Sequence, residues 1–207
     1  MQLHNQSSNL PITHIKSIAL VAVLTALSVT GRIVFAFIPN VQPTTTLLIL
    51  VTLLMGKRYG ILHAMLVMVT SNLILGIGIW TIPQIIAYSI IVLITGLIIR
   101  PMFSKIPHFI MGLYAGLTGF LYGFIISLCQ VPIYGSKYFF AYYMAGLPFD
   151  FNHAIGNFGF YMVLAPILLP LLDKLLIKYQ SSCLHDKATK HKDVQLKGKH
   201  IPSTKKG

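Results

Sequence analysis

The chain has 207 residues, of which 55% are hydrophobic and only 10% charged, against roughly 25% charged in soluble globular domains. With a mean hydropathy of +0.75, this composition excludes an ordinary soluble fold and places the chain in lipid. Its four acidic residues, Asp150, Asp173, Asp186 and Asp193, leave little material for acid–base catalysis.

A polar segment, residues 1–14, leads into the first apolar run, Lys16–Arg32. No small-x-small cleavage pattern follows it, so it reads as an uncleaved membrane helix rather than a signal peptide. Further runs follow at Val41–Met55, Tyr59–Leu75, Ile82–Ile99, Pro107–Val131 and Phe151–Tyr179. A span needs roughly 20 residues. The second run falls short of that, which is compatible with a recess on one side of the membrane or with tertiary packing alone. Residues 180–207 read as a basic, disordered tail. The expected fold is therefore an all-α membrane protein with six transmembrane helices in residues 15–179.

Charge sets the expected orientation. Fourteen of the sixteen basic residues fall at the N-terminus, in the second and fourth connections and at the C-terminal end; Arg32 and Lys137 are the exceptions. The positive-inside rule then places both termini in the cytoplasm. The net charge of +12 is accordingly topogenic, with a tail able to touch anionic lipid. The tail has no aromatic residue to stack on bases before Gly207, which argues against nucleic acid as a partner. Cys129 and Cys183 fall in an apolar run and the tail, so no disulfide is expected.

The outer side collects the unusual residues. In "GRIVFAFIPNVQP", residues 31–43, Arg32 is either a snorkelling anchor or a ligand contact. Pro39 and Pro43 bracket Asn40 and Gln42, which form a simple turn or a rigid loop presenting two amides. In "SNLILGIGIWTIPQ", residues 71–84, Asn72 and Gln84 supply further amides. Trp80, the sole tryptophan, is an interfacial anchor or a cavity wall. Thr81 and Pro83 mark a helix start, with Thr81 as its cap. Gly76 and Gly78 shape the turn.

The third outer segment, residues 130–152, carries the aromatic run "YGSKYFFAYYM" between Gly135 and Gly146. It reads as a loop, either an interfacial belt or a gate, with Tyr138 and Phe139 as candidate contacts. The last run opens with Asp150, His153 and Asn157, which share one helix face. That stripe faces either a cavity or an interhelical hydrogen-bond cluster. A metal site lacks evident third and fourth ligands, and no nucleophile–base pair points to catalysis. Phe35 and Tyr88 complete the candidate contacts. Gly112, Gly116, Gly119 and Gly123 form a small-residue stripe best read as internal packing.

Six short hydrophobic helices, Ala22-x-x-x-Ala26 in the first, "PNVQP" in the first outer loop and "SN-x4-G-x-W-T-x-PQ" between the third and fourth resemble the S component of an energy-coupling factor (ECF) transporter. The resemblance covers residues 15–178. Ile77 stands between two glycines where relatives often carry a polar residue. The resemblance implies a bacterial cell-membrane protein that captures a vitamin from outside without catalysing a reaction or binding a cofactor or metal. It implies that Ala19, Ala22 and Ala26 contact a transmembrane T component, with ATP hydrolysed by two partner ATPases. Consistent with that division, the chain has no G-x-x-x-x-G-K-[ST] motif. Within the family it is most similar to the branch assigned to cobalamin or a related corrinoid. Riboflavin, pantothenate and folate are alternatives, and a stand-alone secondary transporter or an intramembrane enzyme are the competing classes.

Overall fold

The computed structural model describes the backbone of residues 15–199 and the side chains of residues 15–178. The N-terminal segment 1–14 and the last part of the expected tail, 200–207, lie outside the described residues. Six apolar helices follow in chain order: α1 Ile15–Val34, α2 Thr44–Met55, α3 Lys57–Leu75, α4 Thr81–Ile94, α5 His108–Tyr134 and α6 Phe139–Lys199. No strand occurs among the described residues. Beyond α4 the chain continues through a π-helical turn, Thr95–Ile99, and a short helical turn, Arg100–Met102.

Five segments are long and apolar enough to cross a membrane: Ile15–Val34, Lys57–Leu75, Thr81–Lys105, His108–Tyr134 and Ser136–Lys178. Large apolar side chains ring the bundle, with Val23, Leu73, Leu97, Leu117, Val163 and Ile167 all more than half exposed. A rim of that kind suits a hydrocarbon surrounding.

Helix α2 is different. All twelve of its residues are buried, as expected for a helix that is apolar on every side. It packs against α1, α3, α4, α5 and α6. At 1.5 Å per residue it measures roughly 18 Å, short of the about 30 Å of a bilayer core. Its first turn, Thr44–Thr46, is polar yet fully buried. At its other end, Arg100 Nε donates to Leu53 O at 2.8 Å and Nη2 to Leu54 O at 3.4 Å. The guanidinium thus satisfies carbonyls that a helix C-terminus leaves open, and its charge suits the negative end of the helix dipole. The bend into α3 is made by Gly56 at φ 94, a left-handed conformation that a side chain resists.

The glycine stripe of α5 packs internally against α6, as read from its spacing. A Cβ on Gly119 would sit 2.6 Å from Ala154 N and 2.9 Å from Ala154 Cα, so the two backbones approach as closely as they do only because Gly119 has no side chain.

The segment 130–152 is not the irregular loop its glycines and prolines suggest. Helix α5 runs to Tyr134, the chain turns at Gly135 (φ 87), and a 3₁₀ turn at Ser136–Tyr138 leads straight into α6. The aromatic residues explain the correction. Phe124 of α5 meets Phe139 and Tyr143 of α6 edge-to-face at 6.1 and 5.8 Å, and Tyr134 stacks with Tyr142 at 6.0 Å. Spaced for a helix face, the run zips a helical hairpin rather than forming a free loop. The α6 backbone also continues past residue 179 to Lys199.

Two substitutions check this packing by thermal unfolding in detergent. Arg100→Met is expected to lower stability by about 2 kcal/mol, the scale of lost hydrogen bonds from a charged donor. Gly119→Ala is expected to cost about 1–3 kcal/mol by overpacking, whereas Gly159→Ala, with nothing within 4 Å, is expected to leave stability unchanged or slightly raised.

Candidate functional site

At the end of the bundle where α2 begins, a cavity of about 450 Å³ lies among three parts of the chain. The first connection contributes Asn40, and the α3–α4 turn with the start of α4 contributes Trp80 and Gln84. The α5–α6 hairpin contributes Tyr122, Gly123, Ile126 and Ser127 from one helix and Tyr142, Ala145, Gly146, Phe149 and Asp150 from the other. This volume falls within the range of small-molecule sites, and its mixture of aromatic wall and few polar groups fits one. Asp150 is the single charged side chain in the lining.

Each polar group is held in place by a neighbour. Asn40 takes φ 61, a left-handed conformation that asparagine tolerates better than most residues, and its Nδ2 donates to Phe149 O at 3.4 Å. This bond ties the first connection to α6. Asn72 is buried and does not line the cavity. Its Nδ2 donates to Gln84 Oε1 at 2.8 Å and to Thr81 Oγ1 at 3.0 Å. It therefore fixes Gln84 from behind, and Gln84 neighbours the Tyr122 hydroxyl. Thr81 was expected to cap α4; instead Trp80 occupies the cap position without a side-chain cap bond, and Thr81 is the first helical residue. Its hydroxyl accepts the Asn72 amide, which takes the place of a capping bond. Pro83 does fall in the first turn of the helix.

Beneath the cavity lies a buried polar layer. Gln42 Nε2 donates to the Tyr88 hydroxyl at 3.4 Å, and Thr45 Oγ1 is hydrogen-bonded to His153 Nε2 at 3.0 Å. Tyr122 bridges the two, with ring centroids 4.9 Å from Tyr88 and 5.0 Å from His153. Asp150, His153 and Asn157 share a buried face of α6, at 4%, 1% and 0% exposure. Asp150 Oδ2, His153 Nδ1 and both amide atoms of Asn157 have no hydrogen-bond partner. Unpaired buried polar atoms are costly, so this stripe is not a closed interhelical cluster. Tyr161 continues the stripe one turn on, buried with its hydroxyl unpartnered; its i+4 spacing from Asn157 was the signal that could have found it.

The remaining candidates sit elsewhere. Arg32 reaches to α3, where its Nη1 donates to Ser71 Oγ at 2.7 Å and to Met68 Sδ at 3.1 Å. Phe35 packs edge-to-face on Phe160 at 5.1 Å. Tyr138 and Phe139 border a separate crevice of about 10 Å³, room for about one water.

Two features escaped the sequence reading. His63 of α3 is fully buried, with Thr25 Oγ1 3.2 Å from its Nδ1 and Ser28 Oγ 3.1 Å from its Nε2. Thr25, Ser28 and Arg32 recur at helical spacing on α1, a pattern hidden beside the more obvious alanines. The second feature is Gly123. A Cβ there would collide with the Asp150 carboxylate, so this glycine makes room for the acid as well as packing.

Beside this polar face of α1, Ala19, Ala22 and Ala26 are exposed. A mostly apolar groove of about 410 Å³ runs there, lined by Ala22, Thr25, Ala26 and Val29 of α1 and by Leu66 and Thr70 of α3. Among the described residues, no group of three or more His, Cys, Asp or Glu side chains is placed to hold a metal ion. Comparison with family models, with curated proteins and with solved structures finds no match.

Replacing Asn72 by Leu removes the donor that holds both Thr81 and Gln84. The variant is expected to unfold with about 1–3 kcal/mol less stability, because two acceptors at a buried position lose their partner; thermal unfolding in detergent measures it.

Proposed function

We propose that this chain is the vitamin-binding S component of an ECF transporter in a bacterial cell membrane. It crosses the bilayer six times with both termini in the cytoplasm, captures a vitamin from outside and hands it on through a T component, with ATP hydrolysed by two partner ATPases. The chain itself is not catalytic and holds no cofactor.

The observation that carries the reading is the cavity, which brings Asn40, Trp80, Gln84 and Asp150 from three separated parts of the chain to one end of the bundle. Lys57, Arg58 and Arg100 lie at the other helix ends, which supports an outward-facing cavity under the positive-inside rule. The exposed alanines of α1 support docking on a T component, since small residues allow close helix approach in lipid. Cobalamin is the first ligand to test, followed by riboflavin, pantothenate and folate. A corrinoid is large for about 450 Å³, so it would seat one edge in the cavity and stand out of it.

Trp80 is the only tryptophan in the chain and lines the cavity, so its emission reports ligand entry. Titration of the purified full chain with these four vitamins is expected to quench Trp80 at one-to-one stoichiometry for one of them, with the same vitamin found by mass spectrometry after purification from cells. A flat response to all four overturns the reading. Replacing Ala22 and Ala26 together by Leu is expected to leave binding unchanged while reducing uptake in cells at least tenfold. Uptake into liposomes driven by an ion gradient without partner proteins favours a secondary transporter instead.

A further inference from the structure

We propose that Asp150 selects the ligand of the cavity by accepting a hydrogen bond from an N–H donor, an amide or an ammonium, and by rejecting ligands that carry a free carboxylate. This inference rests on the reading of the cavity as a binding site and adds the class of molecule it takes.

Asp150 lines the cavity yet is only 4% exposed, and its Oδ2 has no hydrogen-bond partner. A carboxylate held in that way is costly unless a donor reaches it. No donor comes from a basic side chain of the lining, because Asp150 is its only charged group. Arg32 is directed to Ser71 and Met68 on α3, and Lys137 does not line the cavity. Gly123 lets the carboxylate take up this position, since a Cβ there would overlap it. Trp80 and Tyr122 line the same cavity, and aromatic rings attract positive or N–H-bearing groups. A ligand carboxylate entering the same space meets a like charge in a surrounding of low dielectric, where repulsion is strong.

The other polar groups agree with this assignment. Gln84 Oε1 is taken by Asn72, and the Asn40 amide is spent on Phe149 O. Asp150 is therefore the one acceptor of the lining that carries a charge, and the strongest available to an incoming donor.

The test uses the full chain in detergent, with Trp80 emission and isothermal titration as readouts. The probes are cyanocobalamin, its monocarboxylic acids made by hydrolysis of single side-chain amides, thiamin, pantothenate and folate. Wild type is expected to bind cyanocobalamin or thiamin and neither pantothenate nor folate. If cyanocobalamin is the ligand, at least one monocarboxylic acid is expected to bind at least tenfold more weakly. Asp150→Asn is expected to weaken the favoured ligand at least tenfold and to admit pantothenate or folate measurably; Gly123→Ala, which displaces the carboxylate, is expected to weaken it in the same direction.

Tightest binding of pantothenate or folate by wild type overturns the proposal, and this arm decides even if a variant fails to fold. Binding by a folded Asp150→Asn within twofold of wild type overturns it too, while leaving the cavity as a binding site. If wild type binds neither these probes nor riboflavin, the reading of the cavity falls and this inference with it; binding of riboflavin, whose imide is an N–H donor without a carboxylate, supports both.

Discussion

A twelve-residue helix buried on every side is the constraint on which the rest of this structure depends. Helix α2 has no face for lipid, so five other helices must enclose it. It is also too short to fill the thickness that its neighbours span. Where it stops, the enclosing helices continue and leave a depression. Its terminal carbonyls at one end are met by Arg100, and its threonine-rich first turn at the other end faces His153 and the backbone of Asn157. The cavity lies at the end where this helix begins, walled by the first connection, the start of α4 and the α5–α6 hairpin.

Around that cavity the polar residues divide into those that face it and those that hold them. Asn72 spends its amide on Gln84 and Thr81. Gln42 is spent on Tyr88, and Thr45 on His153. These bonds come from different helices, so the cavity wall is fixed by the packing of the whole bundle. The α1–α3 seam is built separately, from His63 with Thr25 and Ser28 and from Arg32 with Ser71. Polar bonds on the inner side of α1 hold it to the bundle, leaving its alanine side uncovered.

Much of this was legible in the amino-acid sequence because lipid imposes strong patterns. The apolar runs predict six spans; five segments are long and apolar enough to cross a membrane, and the short second run corresponds to the buried α2. The i, i+3, i+7 spacing of Asp150, His153 and Asn157 put them on one face, which is buried. Other features depend on partners distant in the chain. Whether residues 130–152 form a loop or a hairpin turns on Phe124 meeting Phe139 and Tyr143. Thr81 looks like a cap until Asn72 arrives from the preceding helix. His63 resembles any other polar residue in an apolar run, and only the approach of α1 supplies its two hydroxyls. Arg100 reads as a marker of orientation, and the fold gives it a second duty at the end of α2.

The pairing of Gly123 with Asp150 has an evolutionary consequence. A glycine has no side chain, yet this one sets how much room a neighbouring carboxylate has. Selection on the acid therefore extends to a position that has no side chain of its own. Lineages that abandon the acid release the glycine as well, so the two positions should change together among descendants. Bulk appearing opposite a lost charge would then record the loss of this buried acid in the genome, readable without any structure of the descendant.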